Sequence, residues 1–284
     1  MLTTDSKREE TRVEKGPFEI HRVPRLEAPC LIVSWRTNDP GDVGSQVTEF
    51  LIEKLGGQET AEINPLGFFP FGGVRFKGDL VQGPESKFWA CEKQSLLIFR
   101  SDEPAFEHHT FLNLILDFVE SYCHVKEFYT VNGAISSIPH SHSRRLLTVF
   151  NQPEFKTSLA GYGLERMSWE GPPAISSYLL WVARRRGMPG VSLWPEIPFY
   201  LAAGPDAEAA KRVLSFLNYR FNLSLDLGRF EIGAMVQNER IAQLRKEDAK
   251  TDQLVQRLER GENLSEEEQL KLTQDIYDAF RKEN

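Results

Sequence analysis

The segment with the most chemically capable side chains begins as a predicted buried strand and ends in two histidines and two arginines. Residues 127–145 read EFYTVNGAISSIPHSHSRR. The apolar, aromatic and β-branched start predicts a strand, which Asn132-Gly133 interrupts. His140, His142 and Arg144 therefore follow the carboxyl end of that strand, where open α/β sheets gather their ligands. A histidine could serve there as a general base and Arg144 as a clamp for an anion.

Other polar residues extend this candidate site because they follow other predicted strands or flank a predicted helix. Two acidic residues follow the first strand-like run, one glutamate precedes a helix, and a glutamate and a tyrosine follow the last run. The candidate ligand-binding set is Asp39, Asp42, His140, His142, Arg144, Glu170, Glu196 and Tyr200. The G-x-S-x-G elbow of serine hydrolases is absent from the sequence, and the catalytic residues stay unassigned.

The spacing of His140 and His142 invites a metal-binding interpretation. A His-x-His pair on extended backbone projects both rings to one side, as zinc proteins require. Such a site needs at least three protein ligands, and no cysteine, histidine or carboxylate completes it at a diagnostic spacing. We therefore predict no metal and no cofactor. The alternatives are a polar loop that bonds its own backbone and forms salt bridges with a neighbouring subunit, or an anion site at the arginines.

A glycine-containing loop joins the first predicted strand, Cys30–Trp35, to a predicted helix that ends at Gly56-Gly57. The spacing of a dinucleotide-binding motif or a P-loop is absent. Asp39 and Asp42 would also repel an anion at the start of the helix. We therefore interpret the loop as structural, with Asp42 as the cap of the helix.

The composition is that of an acidic protein with ordinary apolar content. The 284 residues carry a net charge of −7 and the pI is near 5.5, which disfavours a general nucleic-acid-binding protein. Cys30, Cys91 and Cys123 are widely spaced, a pattern typical of reduced thiols. We expect no signal peptide, because the N-terminal segment is polar and charged, and no apolar run is long enough to span a bilayer. We expect a cytoplasmic protein that binds neither nucleic acid nor membranes.

Strand-like and helix-like patterns alternate along most of the chain. They run from about residue 30 to 222 and predict one α/β domain with helices on both faces of a sheet. After Gly228 the strand patterns end, and amphipathic helices rich in charged residues begin. We expect a flexible arm over residues 1–16, an α/β domain over 17–228 and a helical C-terminal extension over 229–284.

The order of several segments resembles the proteasome assembly chaperone 2 family in its bacterial and archaeal branch. The segments are APCLIVSW followed by NDPGDVGS, NGAISSIPHSHSRR, GPPAISSYLLWVARRRGM and PEIPFYLAAGPDAEAAKRVLSFL, and the resemblance covers roughly residues 28–260. The proline–histidine loop is among the most specific of them. Relatives often have a Thr-Arg-Pro tail there, where this chain has Ser141-His142-Ser143.

The resemblance implies a three-layer α/β/α fold of the phosphorylase/hydrolase-like kind, with a mixed, mostly parallel sheet. It also implies a homo-oligomer, commonly a trimer in bacteria, and a chaperone or adaptor rather than a demonstrated catalyst. Our first hypothesis is therefore a non-enzymatic, oligomeric assembly chaperone or adaptor with a protein client. The alternative is a small-molecule hydrolase or phosphorylase-like enzyme with a site around His140 and His142 at the strand ends.

Overall fold

The computed structural model describes residues 13–70, 73–168 and 174–281. The α-helices in these ranges are α1 (Val43–Leu55), α2 (His108–Phe118), α3 (Pro153–Ser158), α4 (Ile175–Arg185), α5 (Ala207–Phe221), α6 (Gly228–Glu247), α7 (Ala249–Glu259) and α8 (Glu266–Arg281). The strands are β1 (Val13–Lys15), β2 (Phe18–Ile20), β3 (Cys30–Trp35), β4 (Gln58–Ile63), β5 (Arg75–Lys77), β6 (Leu80–Gln82), β7 (Ser86–Cys91), β8 (Leu96–Ser101), β9 (Glu127–Val131), β10 (Ala134–Ser136), β11 (Leu146–Phe150), β12 (Glu165–Arg166) and β13 (Gly190–Pro198).

Strands from both halves of the chain form one mixed sheet. Its order is β1-β2-β4-β7-β8-β3-β9-β13-β11-β12, and β10 also pairs with β13. The four central strands, β8, β3, β9 and β13, run parallel. On one side β7, β4 and β2 continue the sheet in antiparallel fashion, and on the other side β11 is antiparallel to β13. Strands β5 and β6 form a separate hairpin that turns at Gly78, where φ is 64°.

The side chains of β3 separate two apolar layers. Leu31 and Val33 face a layer that α2 and α4 build, whereas Ile32 faces a layer that α1 and α5 build. Successive side chains of a strand point to opposite faces, and a strand buried on both faces is apolar throughout. The predicted three-layer α/β/α fold is confirmed, and so is the mixed sheet with a parallel centre.

The C-terminal helices pack on the same layer as α1 and α5. Helices α6, α7 and α8 contribute Phe230, Ile241, Val255 and Ile276 to the apolar cluster that contains Ile32. The predicted helical character of this region is confirmed. Its helices share a core with the α/β body. This shared core explains how they reach the loop that carries His140, His142 and Arg144, which we call the candidate loop.

The last part of the predicted N-terminal arm joins the sheet, because Val13–Lys15 forms β1 antiparallel to β2. The rest of that arm, residues 1–12, lies outside the described residues. Within the described ranges, no helix combines the length and the apolar character that crossing a lipid bilayer requires.

A break between β9 and β10 sets the path to the candidate loop. Both strands pair in parallel with β13, β9 with residues 190–193 and β10 with residues 196–198. Between them the chain passes very close to its neighbours at Gly133. A β-carbon there would lie 2.3 Å from Ile197 Cδ1 and 2.6 Å from the Pro40 carbonyl oxygen. Glycine is therefore required at this crossing, because it brings no side chain into the contact.

Candidate functional site

His140 lies inside the protein and is bonded to Tyr200. The backbone N–H of His140 donates to the Tyr200 hydroxyl oxygen at 2.6 Å, and Nδ1 lies 2.9 Å from the same oxygen. A hydroxyl oxygen can accept two hydrogen bonds and donate one, so the Tyr200 hydroxyl bonds the backbone N–H and the ring of the same histidine. Tyr200 belongs to the short 3-10 turn Phe199–Leu201 that follows β13. The hydrogen bonds therefore join loops that follow two different strands.

The buried Arg144 side chain is hydrogen-bonded to the backbone of the same loop. Its Nη1 donates to the carbonyl oxygens of His140 and His142 at 3.2 and 2.8 Å. Its Nε donates to Asp206 Oδ2 at 3.2 Å, and the two side chains are 2% and 0% exposed. Asp206 also caps α5, since Oδ1 accepts from the Ala209 N–H at 3.0 Å. The buried pair thus fixes both the candidate loop and the start of α5. We call His140, Arg144, Tyr200 and Asp206 the His140 cluster.

Helices α6 and α7 lie over this loop. Ser141 Oγ donates to Glu259 Oε1 at 3.3 Å, and Arg245 donates to the two oxygens of the same carboxylate at 2.8 and 3.2 Å. Burial, together with the positive charges of Arg245 and Arg144, lowers the pKa of His140 to about 4, although Glu259 acts in the opposite direction. General-base catalysis near neutral pH favours a pKa near 7, so His140 is poorly suited to that role.

Glu196 forms a separate pair with Arg145. The Nε and Nη2 atoms of Arg145 donate to its two carboxylate oxygens at 2.7 and 2.6 Å. The Glu196 side chain is 4% exposed and the Arg145 side chain 55% exposed. Glu196 lies in β13 and Arg145 directly precedes β11, so the pair joins two neighbouring strands. Both carboxylate oxygens are occupied in charge-assisted hydrogen bonds, which gives Glu196 a structural role.

Asp39, rather than Asp42, caps α1. Its carboxylate accepts the N–H groups of Gly44 and Ser45, each at 2.8 Å. Burial raises the pKa of Asp39, while these two hydrogen bonds act in the opposite direction. Asp42 has a left-handed backbone with φ of 49° and makes no capping hydrogen bond, so the prediction that it caps the helix is wrong. A 3-10 turn over Pro40–Asp42 precedes α1 and moves the cap upstream.

The two histidines of the His-x-His pair lie in different environments. His140 is buried and His142 is exposed. The chain turns here, since the His142 N–H donates to the Pro139 carbonyl oxygen at 3.2 Å. The expectation that extended backbone projects both rings to one side is therefore wrong. In the part of the chain that the structure describes, no group of three or more His, Cys, Asp or Glu side chains is placed to hold a metal ion.

The structure brings together only part of the predicted candidate set. The described candidates that share one cluster are His140, Arg144 and Tyr200. Asp39 and Glu196 are bonded elsewhere, Asp42 and His142 are exposed, and Glu170 lies outside the described residues. The partners that sequence reasoning missed are Asp206, Arg245 and Glu259. The position of Asp206 before a predicted helix marks it as a cap, but nothing local signals its pairing with Arg144.

A cavity of about 510 Å³ opens at the carboxyl ends of the parallel strands. Trp35, Asn132 and Trp194 line it, and none of the described candidate residues does. Two buried hydroxyl groups hold the Asn132 side chain. Its Oδ1 accepts from Ser176 Oγ at 2.7 Å, and its Nδ2 donates to Ser192 Oγ at 3.0 Å. The expected place for a ligand is thus distinct from the His140 cluster.

A family model provides the decisive comparison. The model described as the PAC2 family matches residues 36–245, a range that contains the whole His140 cluster. The chain belongs to the PAC2 family. Its membership confirms the resemblance that the strand and loop segments indicate. No curated protein matches the sequence of this PAC2 protein.

Solved structures share the fold of this PAC2 protein. The Mycobacterium tuberculosis proteasome-assembly chaperone homologue Rv2125 matches with a TM-score of 0.67 at 17% identity, covering 75% of this chain and 94% of its own. The Pyrococcus furiosus archaeal proteasome activator PbaB matches with 0.67 at 23% identity, covering 80% and 98%. The Mycobacterium tuberculosis protein Rv2714, of unknown function, matches with 0.75 at 18% identity, covering 96% and 94%. At these identities the likeness establishes the fold alone.

Proposed function

We propose that this PAC2 protein is a non-enzymatic, homo-oligomeric assembly chaperone or adaptor that acts on a protein client in the cytoplasm. A trimer is the assembly that we expect. Family membership supports the chaperone class. Rv2125 and PbaB are described as a proteasome-assembly chaperone homologue and a proteasome activator. Both descriptions concern protein partners, which supports a protein client for this chain as well.

The observation that carries the proposal is the structural use of the His140 cluster. Tyr200 bonds His140, Arg144 bonds the loop carbonyls, and Asp206 bonds both Arg144 and the start of α5. Fully satisfied buried polar networks rigidify a fold. His140 and Arg144, the candidates for a base and an anion clamp, therefore hold loops in place. The cavity at the strand ends is lined by other residues.

Native mass spectrometry of the protein purified at its natural abundance tests this function. We expect an integer multiple of the 32.5 kDa chain together with a second protein in fixed stoichiometry. A homo-oligomer that carries no second protein, even after mild crosslinking in cells, would contradict the client. His142→Ala is a suitable control, because His142 is exposed and should leave the client bound.

A small-molecule hydrolase or phosphorylase-like enzyme is the second candidate, and the cavity at the strand ends favours it. In that case native mass spectra should show one metabolite in every subunit. The Asn132→Ala variant should lose this metabolite, because Asn132 lines the cavity, whereas Arg145→Ala, away from the cavity, should keep it. Retention of the metabolite by both variants would contradict this second function.

A further inference from the structure

Helix α6 carries apolar residues on two opposite sides. Phe230 and Ile241 face the core and are buried. A second stripe lies on the outer side, where Ile232, Met235 and Val236 are 60%, 54% and 39% exposed. At 3.6 residues per turn, or about 100° per residue, this stripe is opposite the buried side. Helix α6 therefore buries one apolar side in this chain and leaves the other exposed.

An acidic groove of about 600 Å³ lies beside this stripe, between α6 and α8. Val236 lines the groove and connects it to the stripe. The charged side chains that line it are Glu239, Arg240, Glu247, Asp248, Asp275 and Asp278. Glu239 and Asp278 are exposed and form no ion pair with any described residue. The stripe and the groove together present an apolar surface with an acidic border, which we call the α6–α8 surface.

Helix α4 carries exposed aromatic and basic side chains, which complement the apolar and acidic character of the α6–α8 surface. Its inner side is buried against the sheet, and its outer side carries Tyr178, Trp181, Arg184 and Arg185. Trp181 is 48% exposed, its ring lies 5.6 Å from that of Tyr178, and the Arg185 guanidinium lies 5.2 Å from the Trp181 ring. Among the described residues, neither Arg184 nor Arg185 has a carboxylate partner. We call these four residues the α4 surface.

We propose that the α4 surface of one copy of this chain docks on the α6–α8 surface of the next copy. This inference rests on the proposed homo-oligomer and assigns its interface. Arg184 and Arg185 would meet the carboxylates of Glu239 and Asp278, while Trp181 would bury the α6 stripe. Tryptophan and arginine are enriched among residues that dominate binding at protein interfaces, and opposite charges suppress wrong partners.

The positions of the two surfaces set the symmetry of the assembly. Helix α4 belongs to the layer on one face of the sheet, and α6 and α8 belong to the layer on the other face. A contact between two different surfaces is head-to-tail, and such contacts generate a closed ring when the rotation closes. A ring of three copies is the assembly that this contact would build in a trimeric protein.

Charge reversal on each side separately, and then on both, tests the contact. The α4 variant is Arg184→Glu/Arg185→Glu, and the groove variant is Glu239→Arg/Asp278→Arg. Native mass spectrometry and light scattering at micromolar concentration measure the assembly of the full-length chain. We expect each charge reversal to weaken the homo-oligomer and to raise its dissociation constant at least tenfold. The chain with all four substitutions should assemble again, because it restores opposite charges across the contact and shows that the reversals fold.

A matched control carries the same change of charge elsewhere. Lys93 and Lys126 are exposed and lie outside both surfaces, so Lys93→Glu/Lys126→Glu should leave the assembly intact. An oligomeric wild type whose mass neither reversal changes would overturn the interface and leave the proposed oligomer standing. Failure of the fourfold variant to assemble would overturn the pairing of these two surfaces. A monomeric wild type would overturn the interface and the oligomer together.

Discussion

The Tyr200 hydroxyl serves two polar groups of His140 at once, the backbone N–H at 2.6 Å and the ring Nδ1 at 2.9 Å. One oxygen therefore holds both the backbone and the ring of a buried histidine. The two residues are 60 positions apart and follow strands β10 and β13, so the contact also joins two loops. Burial raises the pKa of Tyr200 well above its usual range, which keeps the hydroxyl protonated and able to donate.

Removal of this hydroxyl should destabilise the fold. Tyr200→Phe leaves a buried N–H and a buried ring nitrogen without their partner, and each unsatisfied buried group costs about 1–3 kcal/mol. We expect the free energy of unfolding to fall by about 2 kcal/mol or more in urea titrations. Tyr219→Phe is the matched control, because Tyr219 is 76% exposed. Equal stabilities for the two variants would show that the His140 contact is not needed.

The depressed pKa of His140 predicts a loss of stability in mild acid. Its pKa is about 4 in the folded chain and 6.5 when unperturbed, so the unfolded chain takes up the proton first. The stabilisation is complete above pH 6.5 and is lost as the pH falls toward 4. It amounts to roughly 3 kcal/mol, because each pKa unit corresponds to about 1.4 kcal/mol.

Unfolding titrations between pH 7.5 and 4.5 measure this dependence. His140→Gln removes the ionisable group, so its stability should fall less over this range than that of the wild type. His142→Gln should follow the wild type, because His142 is exposed at the surface of the same loop. The same slope in the wild type and in His140→Gln would assign the acid sensitivity to other groups.

Local pattern and helix ends predict most of the fold. Helix α1 ends where Gly56 takes a left-handed φ of 67°, and Gly187 after α4 has φ of 75°. A capping box precedes α8, since the Ser265 N–H donates to Glu268 at 2.8 Å and the Glu268 N–H donates to Ser265 Oγ at 3.3 Å. These signals act over a few residues, so one sequence is enough to read them.

Local signals of this kind do not predict which residues form the His140 cluster. Arg144 and Asp206 are separated by 62 positions, and Ser141 and Glu259 by 118. Strand order and helix packing bring them together, and no local spacing reports those contacts. The Asp39 cap was missed for a smaller reason, because a 3-10 turn stands between it and α1. Sequence reasoning thus located the loop but not the partners that bury it.

The Arg144–Asp206 pair should be strongly coupled. Arg144→Met leaves the buried Asp206 carboxylate without its cation, and breaking a buried pair from one side costs about 3–5 kcal/mol. Adding Asp206→Asn should recover part of this loss, because asparagine removes the charge and still caps a helix. Chemical unfolding of the single and double variants measures the coupling, with Arg166→Met as the control, because Arg166 is exposed and lies outside both proposed interface surfaces. Additive losses would show that the two side chains act independently.

The close passage at Gly133 predicts that even a methyl group there is harmful. In Gly133→Ala the new β-carbon would approach Ile197 Cδ1 to 2.3 Å and the rigid Pro40 carbonyl to 2.6 Å. Overpacking of a close contact costs typically about 1–3 kcal/mol, and the backbone on one side cannot rotate away. Gly161→Ala is the control, because its β-carbon would have no neighbour within 4 Å. In thermal unfolding, the transition temperature of Gly133→Ala should lie several degrees below that of Gly161→Ala. Equal transition temperatures would mean that the loops around the His140 cluster adjust to the methyl group without loss of stability.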